Sequence, residues 1–289
     1  MENKIVLITG ATDGIGKETA KALAKKGYKV ILHGRNEQKA QAVMKEIKAE
    51  TQNADLDILL CNLLSFADIK RMTDEFYRKY DRLDVLINNA GAVFSTERQL
   101  TEDGQERTFQ LNVFAPFLLT RLLLPALRKS RSARVIIESS ASHSSARKPD
   151  FEDMTSEKDY GAQPNYSLSK LYAIWMGQYF AKFLNRENIR NVTVNITHPG
   201  AVATDFGQNE KKGFMVDLIY KVALRFMAKP EDGAKSEIYL ATSPEVEGVS
   251  GKYFSHQCKE DTPNPKHYSL ENEKKLWTYC EKATQAYLN

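Results

Sequence analysis

Cysteine is scarce in this chain of 289 residues, and the three present, Cys61, Cys258 and Cys280, are too far apart to form a CxxC pair. That pattern argues against a disulfide framework or a thiolate metal site and points to a reducing compartment. Long apolar runs are also missing. None approaches the roughly 20 residues needed to cross a bilayer. The first apolar run starts within four residues of the N-terminus, which leaves no room for the layout of a signal peptide. Charge of one sign is not concentrated anywhere. Lys and Arg number 41 against 37 Asp and Glu, for a net charge of +4. No basic cluster has the form of a nucleic-acid-binding arm, so no nucleic-acid partner is expected. The histidines His143, His256 and His267 have no ligand spacing, and no catalytic metal is expected. Linkers rich in Pro, Gly or Ser and internal repeats are absent as well. Together these absences predict one soluble, cytoplasmic domain spanning residues 1–289, with no more than a weak pull toward anionic ligands or membrane surfaces.

What the chain does contain is regular alternation. Residues 4–9 (KIVLIT), 30–32, 56–60, 85–88, 134–139 (RVIIES), 192–197 (VTVNIT) and 251–254 read as short apolar strands. Between them, residues 15–26, 36–50, 66–80, 105–129 and 166–187 read as helices, and a further helix ends near 239–242. Pro116 and Pro125 are expected to mark bends or ends in the helix over 105–129. Strands alternating with helices predict an α/β fold: a Rossmann-type, doubly wound parallel sheet of about seven strands with helices on both faces. Residues 141–164 and 205–229 interrupt the alternation and are expected to form loops around a substrate.

The first strand runs into Gly10-Ala-Thr-Asp-Gly14-Ile-Gly16 at the mouth of the first helix. Gly10 suits the tight turn, Gly14 a close backbone approach to a pyrophosphate, and Gly16 close helix–strand packing. The anion would rest on the exposed N–H groups and positive end of that helix. Thr12, Asp13 and Ile15 belong to the same cofactor loop. NAD-binding sheets usually carry a carboxylate at the end of the second strand. Here that position reads His33-Gly34-Arg35-Asn36. Arg35 can instead fork onto a ribose 2′-phosphate, with Asn36 beside it, so NADP(H) is the expected cofactor.

Tyr166 and Lys170 are four residues apart, on one face of a helix. A tyrosine normally ionises near pH 10, and a neighbouring ammonium stabilises the phenolate. The pair can therefore move a proton to or from a carbonyl or alcohol oxygen. Ser140, just past the strand RVIIES, can hydrogen-bond that oxygen, although Ser139 is a rival for the role.

In order, Thr9-Gly10-xxx-Gly14-x-Gly16, Asn88-Asn89-Ala90-Gly91, Asn112, Ser140, Tyr166-xxx-Lys170 and Pro199-Gly200 resemble the short-chain dehydrogenase/reductase family, in its non-extended type, along nearly the whole chain. GIGKETA at 14–20, HPGAVATD at 198–205 and SGKYF at 250–254 are similar to the branch of retinol dehydrogenases and the WW-domain oxidoreductase. The resemblance implies an oxidoreductase that moves a hydride between nicotinamide and a carbonyl or alcohol, with Tyr166 as general acid and base. It gives Lys170 a second task on the nicotinamide ribose, and makes Asn112 the holder of a water in a proton relay. It places Asn89, Ala90 and Gly91 along the adenine side, and Pro199, Gly200, Val202 and Thr204 against the nicotinamide. Asn62-Leu63 stands where the family usually has Asp-Leu, and the Asn62 amide oxygen is expected to serve the adenine instead. His143 stands where the family's Ser-x-x-Gly pattern has Gly. The membrane anchor of many vertebrate retinol dehydrogenases has no counterpart here, so the branch alone does not imply a retinoid.

Two further expectations concern partners. The apolar, basic stretch at 214–229 reads as a lid over an apolar substrate, with a core helix or a peripheral membrane contact as alternatives. The long helices at 105–129 and 166–187 offer a surface for a homodimer. An idle NADP(H)-binding sensor is the other functional reading, disfavoured because Ser140, Tyr166 and Lys170 are all present.

Overall fold

In the computed structural model, residues 3–94, 97–200 and 229–288 are described. The strands are β1 Ile5–Ile8, β2 Lys29–Gly34, β3 Leu56–Leu60, β4 Val85–Asn88, β5 Ala133–Glu138 and β6 Val192–Thr197, with two short ones, β7 Tyr253–Phe254 and β8 Glu260–Asp261. They form a single sheet in the order β3-β2-β1-β4-β5-β6-β7-β8. All pairings are parallel except β7 with β8. The sheet thus has eight strands where about seven were expected. The eighth is a two-residue exposed edge, too short to show periodicity.

Successive side chains on a strand point to opposite faces, and both faces of this sheet are covered. Leu7, Ile31, Leu86, Val135 and Val194 join one apolar cluster, while Val6, Ile8, Val30, Leu32 and Ile136 join the other. That arrangement is why the strands read as unbroken apolar runs. On the first face pack α3 (Phe66–Lys79), α4 (Arg107–Arg128) and α5 (Ala162–Arg186). On the second pack α1 (Gly14–Lys25), α2 (Glu37–Thr51) and α6 (Pro230–Thr242). Among the described residues α4 alone is long and apolar enough to cross a membrane, and it is mostly buried inside the fold.

Neither proline ends α4. At Gln110–Phe114 the helix widens into a π turn, with the Ala115 N–H reaching back to the Gln110 carbonyl. Pro116 follows directly and has no N–H to give the Asn112 carbonyl four residues earlier, and its ring would crowd that carbonyl in a regular helix. Pro125 is accommodated within the last helical stretch, which runs on to Arg128.

The C-terminal helix α7 (Leu270–Thr284) did not figure in the sequence reading. Its signals are an N-cap, with Ser269 Oγ accepting the Asn272 N–H at 3.0 Å, and an apolar stripe of Leu276, Trp277 and Cys280. Trp277 packs against Phe117 of α4 and against Tyr179 and Phe180 of α5, with ring centroids 4.7–4.9 Å apart. Helix α7 therefore lies across part of the surface that the sequence offered to a dimer partner.

Candidate active site

The strand order reverses between β1 and β4, and a cleft opens there at the carboxyl ends of the strands, as in doubly wound sheets generally. The turn from β1 to α1 forms its floor. Gly10 has φ +67°, a region that favours glycine. A Cβ on Gly16 would stand 2.4 Å from Asn89 Nδ2 and 2.5 Å from the Gly10 carbonyl oxygen, so a side chain there would collide with the turn. Asn89 Nδ2 donates to the Thr9 carbonyl at 2.7 Å, and the Ala90 N–H donates to Thr9 Oγ1 at 3.0 Å. These bonds lash the ends of β1 and β4 together.

Of the expected cofactor residues, Gly10, Thr12, Asp13, Gly14, Ile15, Gly16, Arg35, Asn62, Leu63, Asn89, Ala90 and Gly91 line this cleft. Asn36 does not line it. Its Oδ1 accepts the Lys39 N–H at 2.9 Å and so caps α2. Asn62 Oδ1 accepts the Leu64 N–H at 3.1 Å, which engages part of the acceptor expected to face an adenine. Pro199 and Gly200 follow β6, and the Gly200 N–H donates to His198 Nδ1 at 3.2 Å. Val202 and Thr204, and the segment 205–229 except Lys229, lie outside the described residues. The cleft also takes in residues that the sequence reading passed over: Lys39, Leu64, Ala92, Phe94, Leu111 and Glu138. Lys39 Nζ pairs with Asp13 Oδ2 at 2.5 Å. Its position four residues beyond Arg35 was the available signal.

His33 fastens the glycine turn from beneath. The Gly10 N–H donates to its Nδ1 at 3.1 Å, so Nε2 carries the proton and donates to the Cys61 carbonyl at 3.1 Å. Burial pushes its pKa down to about 4. An unfolded histidine titrates near 6.5, so between that value and about 4 the unfolded chain binds a proton that the folded one refuses. Stability is accordingly full above about pH 6.5 and declines as pH falls, by up to about 1.4 kcal/mol per unit from His33 alone. Burial also drives His198 to about 4, and it adds to the same decline. Urea midpoints measured across this window should fall more steeply in the wild type than in His33→Gln. Parallel curves would show that His33 does not carry the effect.

The four residues expected to act in catalysis lie behind this lining: a Cβ on Gly91 would stand 2.9 Å from Lys170 Nζ and 3.2 Å from Asn112 Oδ1, and Tyr166 and Ser140 adjoin Lys170. Tyr166 and Lys170 share one face of α5, with Lys170 Nζ 5.7 Å from the centroid of the Tyr166 ring. Lys170 is buried, and its Nζ donates to the main-chain oxygen of Glu138 at 3.0 Å. Burial pulls its pKa down against the upward pull of the Glu138 and Glu237 charges. Tyr166 hydrogen-bonds Ser140. Burial pushes the phenol up, the Ser140 bond pulls it down and the Glu138 charge pushes it up again, for a net rise. The sequence reading had Lys170 lowering this pKa, whereas here the ammonium sits over the ring and burial prevails.

The rivalry between the two serines has a structural basis for resolution. Ser139 Oγ donates to the main-chain oxygen of Lys170 at 2.7 Å and is fully buried, so it is committed to packing. Ser140 caps the 3-10 turn Ala141–Ser145 and meets Tyr166. His143 Nδ1 lies 2.7 Å from the Ser140 carbonyl, and its Nε2 accepts the Asn264 N–H at 3.2 Å. The residue that departs from the family pattern thus braces the turn. Asn112, in the π turn, clamps the exit from β4. Its Oδ1 accepts the Ala92 N–H and its Nδ2 donates to the Ala92 carbonyl, both at 3.1 Å, and Nδ2 also reaches Ser169 Oγ at 2.9 Å.

A family model described as short chain dehydrogenase matches residues 4–213. The chain belongs to the short-chain dehydrogenase family. It is 37% identical to human retinol dehydrogenase 14, covering 97% of this chain and 86% of that protein. It is equally identical to human polyprenol dehydrogenase, with 96% and 84% covered. With the human WW domain-containing oxidoreductase it shares 35% identity over 98% of this chain and 68% of that one. Among solved structures, a short chain dehydrogenase from Escherichia coli complexed with NADPH superposes with a TM-score of 0.68 at 26% identity, with 89% and 98% of the chains covered. This family member is an NAD(P)-dependent oxidoreductase acting on CH–OH and C=O groups. The cleft fits such a cofactor: a turn with glycine at 10, 14 and 16, a helix N-terminus and an exposed cation lie where a dinucleotide's phosphates would rest.

Proposed function

We propose that this protein is an NADP(H)-dependent reductase of apolar aldehydes or ketones, with Tyr166 as the proton donor. The observation that carries the reading is the Tyr166–Ser140 hydrogen bond held over Lys170, which stands behind Gly91 of the cleft. Bound in the cleft, the nicotinamide would supply the hydride. Ser140 then orients the substrate oxygen, on which negative charge grows, and the Tyr166 hydroxyl gives it a proton. A phenol whose pKa is pushed up by burial remains protonated at neutral pH, which suits reduction. Lys170 keeps positive charge beneath the ring and would reach the cofactor ribose. Asn112 holds the β4 exit loop against α5, and its carbonyl, to which Pro116 has no N–H to give, would hold a water of the relay.

The cofactor preference rests on Arg35, and the neighbours complexed with NADP and NADPH support it. The substrate class rests on Phe94 and Leu111 in the cleft, and on relatives named for retinol and polyprenol, both apolar. Reduction of a panel of aldehydes and ketones, followed at the nicotinamide absorbance, tests the reading. Long-chain and isoprenoid-like aldehydes should turn over faster than short polar ones, and faster with NADPH than with NADH. An absence of turnover with either nucleotide would favour the idle sensor.

A further inference from the structure

Two glutamates that the proposed chemistry does not use meet behind Lys170. Glu138 is the last residue of β5, and Glu237 lies in α6, fully buried against α1. Thr19 Oγ1 of α1 donates to Glu237 Oε2 at 2.6 Å. The other oxygen, Glu237 Oε1, is buried and receives no hydrogen bond from an N–H or a hydroxyl, and the same holds for Glu138 Oε2. The two carboxyl groups are within hydrogen-bonding reach of each other. Ionised carboxylates only accept, so as two anions they would leave both oxygens orphaned and place like charges side by side in the interior. A single proton shared between the two groups would give the pair a hydrogen bond and remove one charge.

The surroundings fix where the remaining charge acts. Lys170 and Tyr166 of α5 feel the charge of the pair, and Thr19 of α1 donates its hydroxyl to it. Lys170 is buried and bonds the Glu138 main chain, not a carboxylate oxygen. It needs a counter-charge nearby to remain an ammonium.

We propose that Glu138 and Glu237 share one proton across their facing carboxyl oxygens, and that the pair, with its single negative charge, is the counter-ion that positions Lys170 beneath Tyr166. Burial pushes the pKa of both carboxyl groups up, and the Glu138 charge pushes that of Glu237 further. The two glutamates are positioning residues. Two full charges here would raise the Tyr166 phenol further, and none would leave Lys170 unsupported. The claim for Lys170 rests on the proposed reductase reading, and the shared proton does not.

The test separates the two. Infrared spectra of the full chain near neutral pH should show a protonated-carboxyl band that is absent in Glu237→Gln, where the amide supplies the hydrogen bond instead. In Glu138→Gln/Glu237→Gln, Lys170 loses its counter-charge, and the alkaline limb of the kcat profile for aldehyde reduction should move down by about one pH unit or more. No carboxyl band in the wild type, or a band unchanged in Glu237→Gln, overturns the shared proton. An unmoved alkaline limb in a folded double variant overturns the counter-ion role. If the double variant does not fold, Glu237→Leu against Glu237→Gln serves: the amide should rescue kcat that the apolar residue loses, and equal losses count against the role. If the wild type turns over no substrate, the infrared result still decides the shared proton.

Discussion

Tyr166→Phe should keep its fold and its cofactor and lose about 10²–10⁴-fold in kcat, the usual scale for a general acid. The substitution removes one oxygen and leaves the packing of the ring on α5 in place. The hydroxyl it removes is the group that meets Ser140, while Ser140 Oγ keeps its bonds from the Ser142 N–H at 3.2 Å and the Ser142 hydroxyl at 3.0 Å. The turn around the substrate oxygen therefore stays formed, and the loss reports chemistry rather than architecture. Because burial raises the phenol's pKa, reduction by the wild type should be flat with pH around neutrality, and the reverse oxidation should climb toward alkaline pH, where the phenolate forms. Lys170→Met should lower kcat and weaken cofactor binding together. Rapid-quench or steady-state rates at saturating NADPH, with nucleotide affinity measured separately, check both. Near-normal turnover in Tyr166→Phe would remove Tyr166 from the mechanism.

The parts of this structure that were legible in the sequence are those that local periodicity can carry. β3, β4 and β6 have the bounds that the apolar runs indicate, because strands buried on both faces show as continuous apolar stretches. The glycine turn was legible because a tight turn and a close packing contact each restrict the residue type at a fixed spacing. The edge strand β8 was not, since two residues carry no pattern, whereas β7 falls within the run at 251–254. Asn36 illustrates a different limit: a polar residue before a helix suits both a cap and a ligand, and only coordinates show its oxygen taken by Lys39. Pro116 was read as marking a bend or an end in α4, and the helix accommodates it with one wide turn. The Glu138–Glu237 pair was out of reach for a stronger reason. Its partners are 99 positions apart in the sequence, on a strand and a helix that only the assembled sheet brings together.

Arg35→Asp should weaken NADPH binding by about 1.5–3 kcal/mol, or roughly 10–150-fold, while NADH binding changes little. Arg35 is exposed at the end of β2, on the rim of the cleft, and makes no hydrogen bond or ion pair among the described residues. Its guanidinium is therefore available to fork onto a phosphate. Lys39 stands nearby but is already paired with Asp13, so it is the weaker competitor for the same anion. An aspartate at position 35 removes the fork and adds a second carboxylate to a rim that already holds Asp13, so repulsion adds to the lost attraction. The same carboxylate can accept from a ribose 2′-hydroxyl, which is the arrangement NAD-binding sheets use, and the ratio of NADPH to NADH affinity should shift strongly toward NADH. Because these charges face solvent, salt screens them, and the wild type's preference should shrink as ionic strength rises while that of the variant responds less. Nucleotide fluorescence titrations at low and high salt measure all four affinities. A wild type that prefers NADH, or a preference that Arg35→Asp leaves untouched, would show that Arg35 is a solvated surface residue and that the 2′-phosphate, if bound, is held elsewhere.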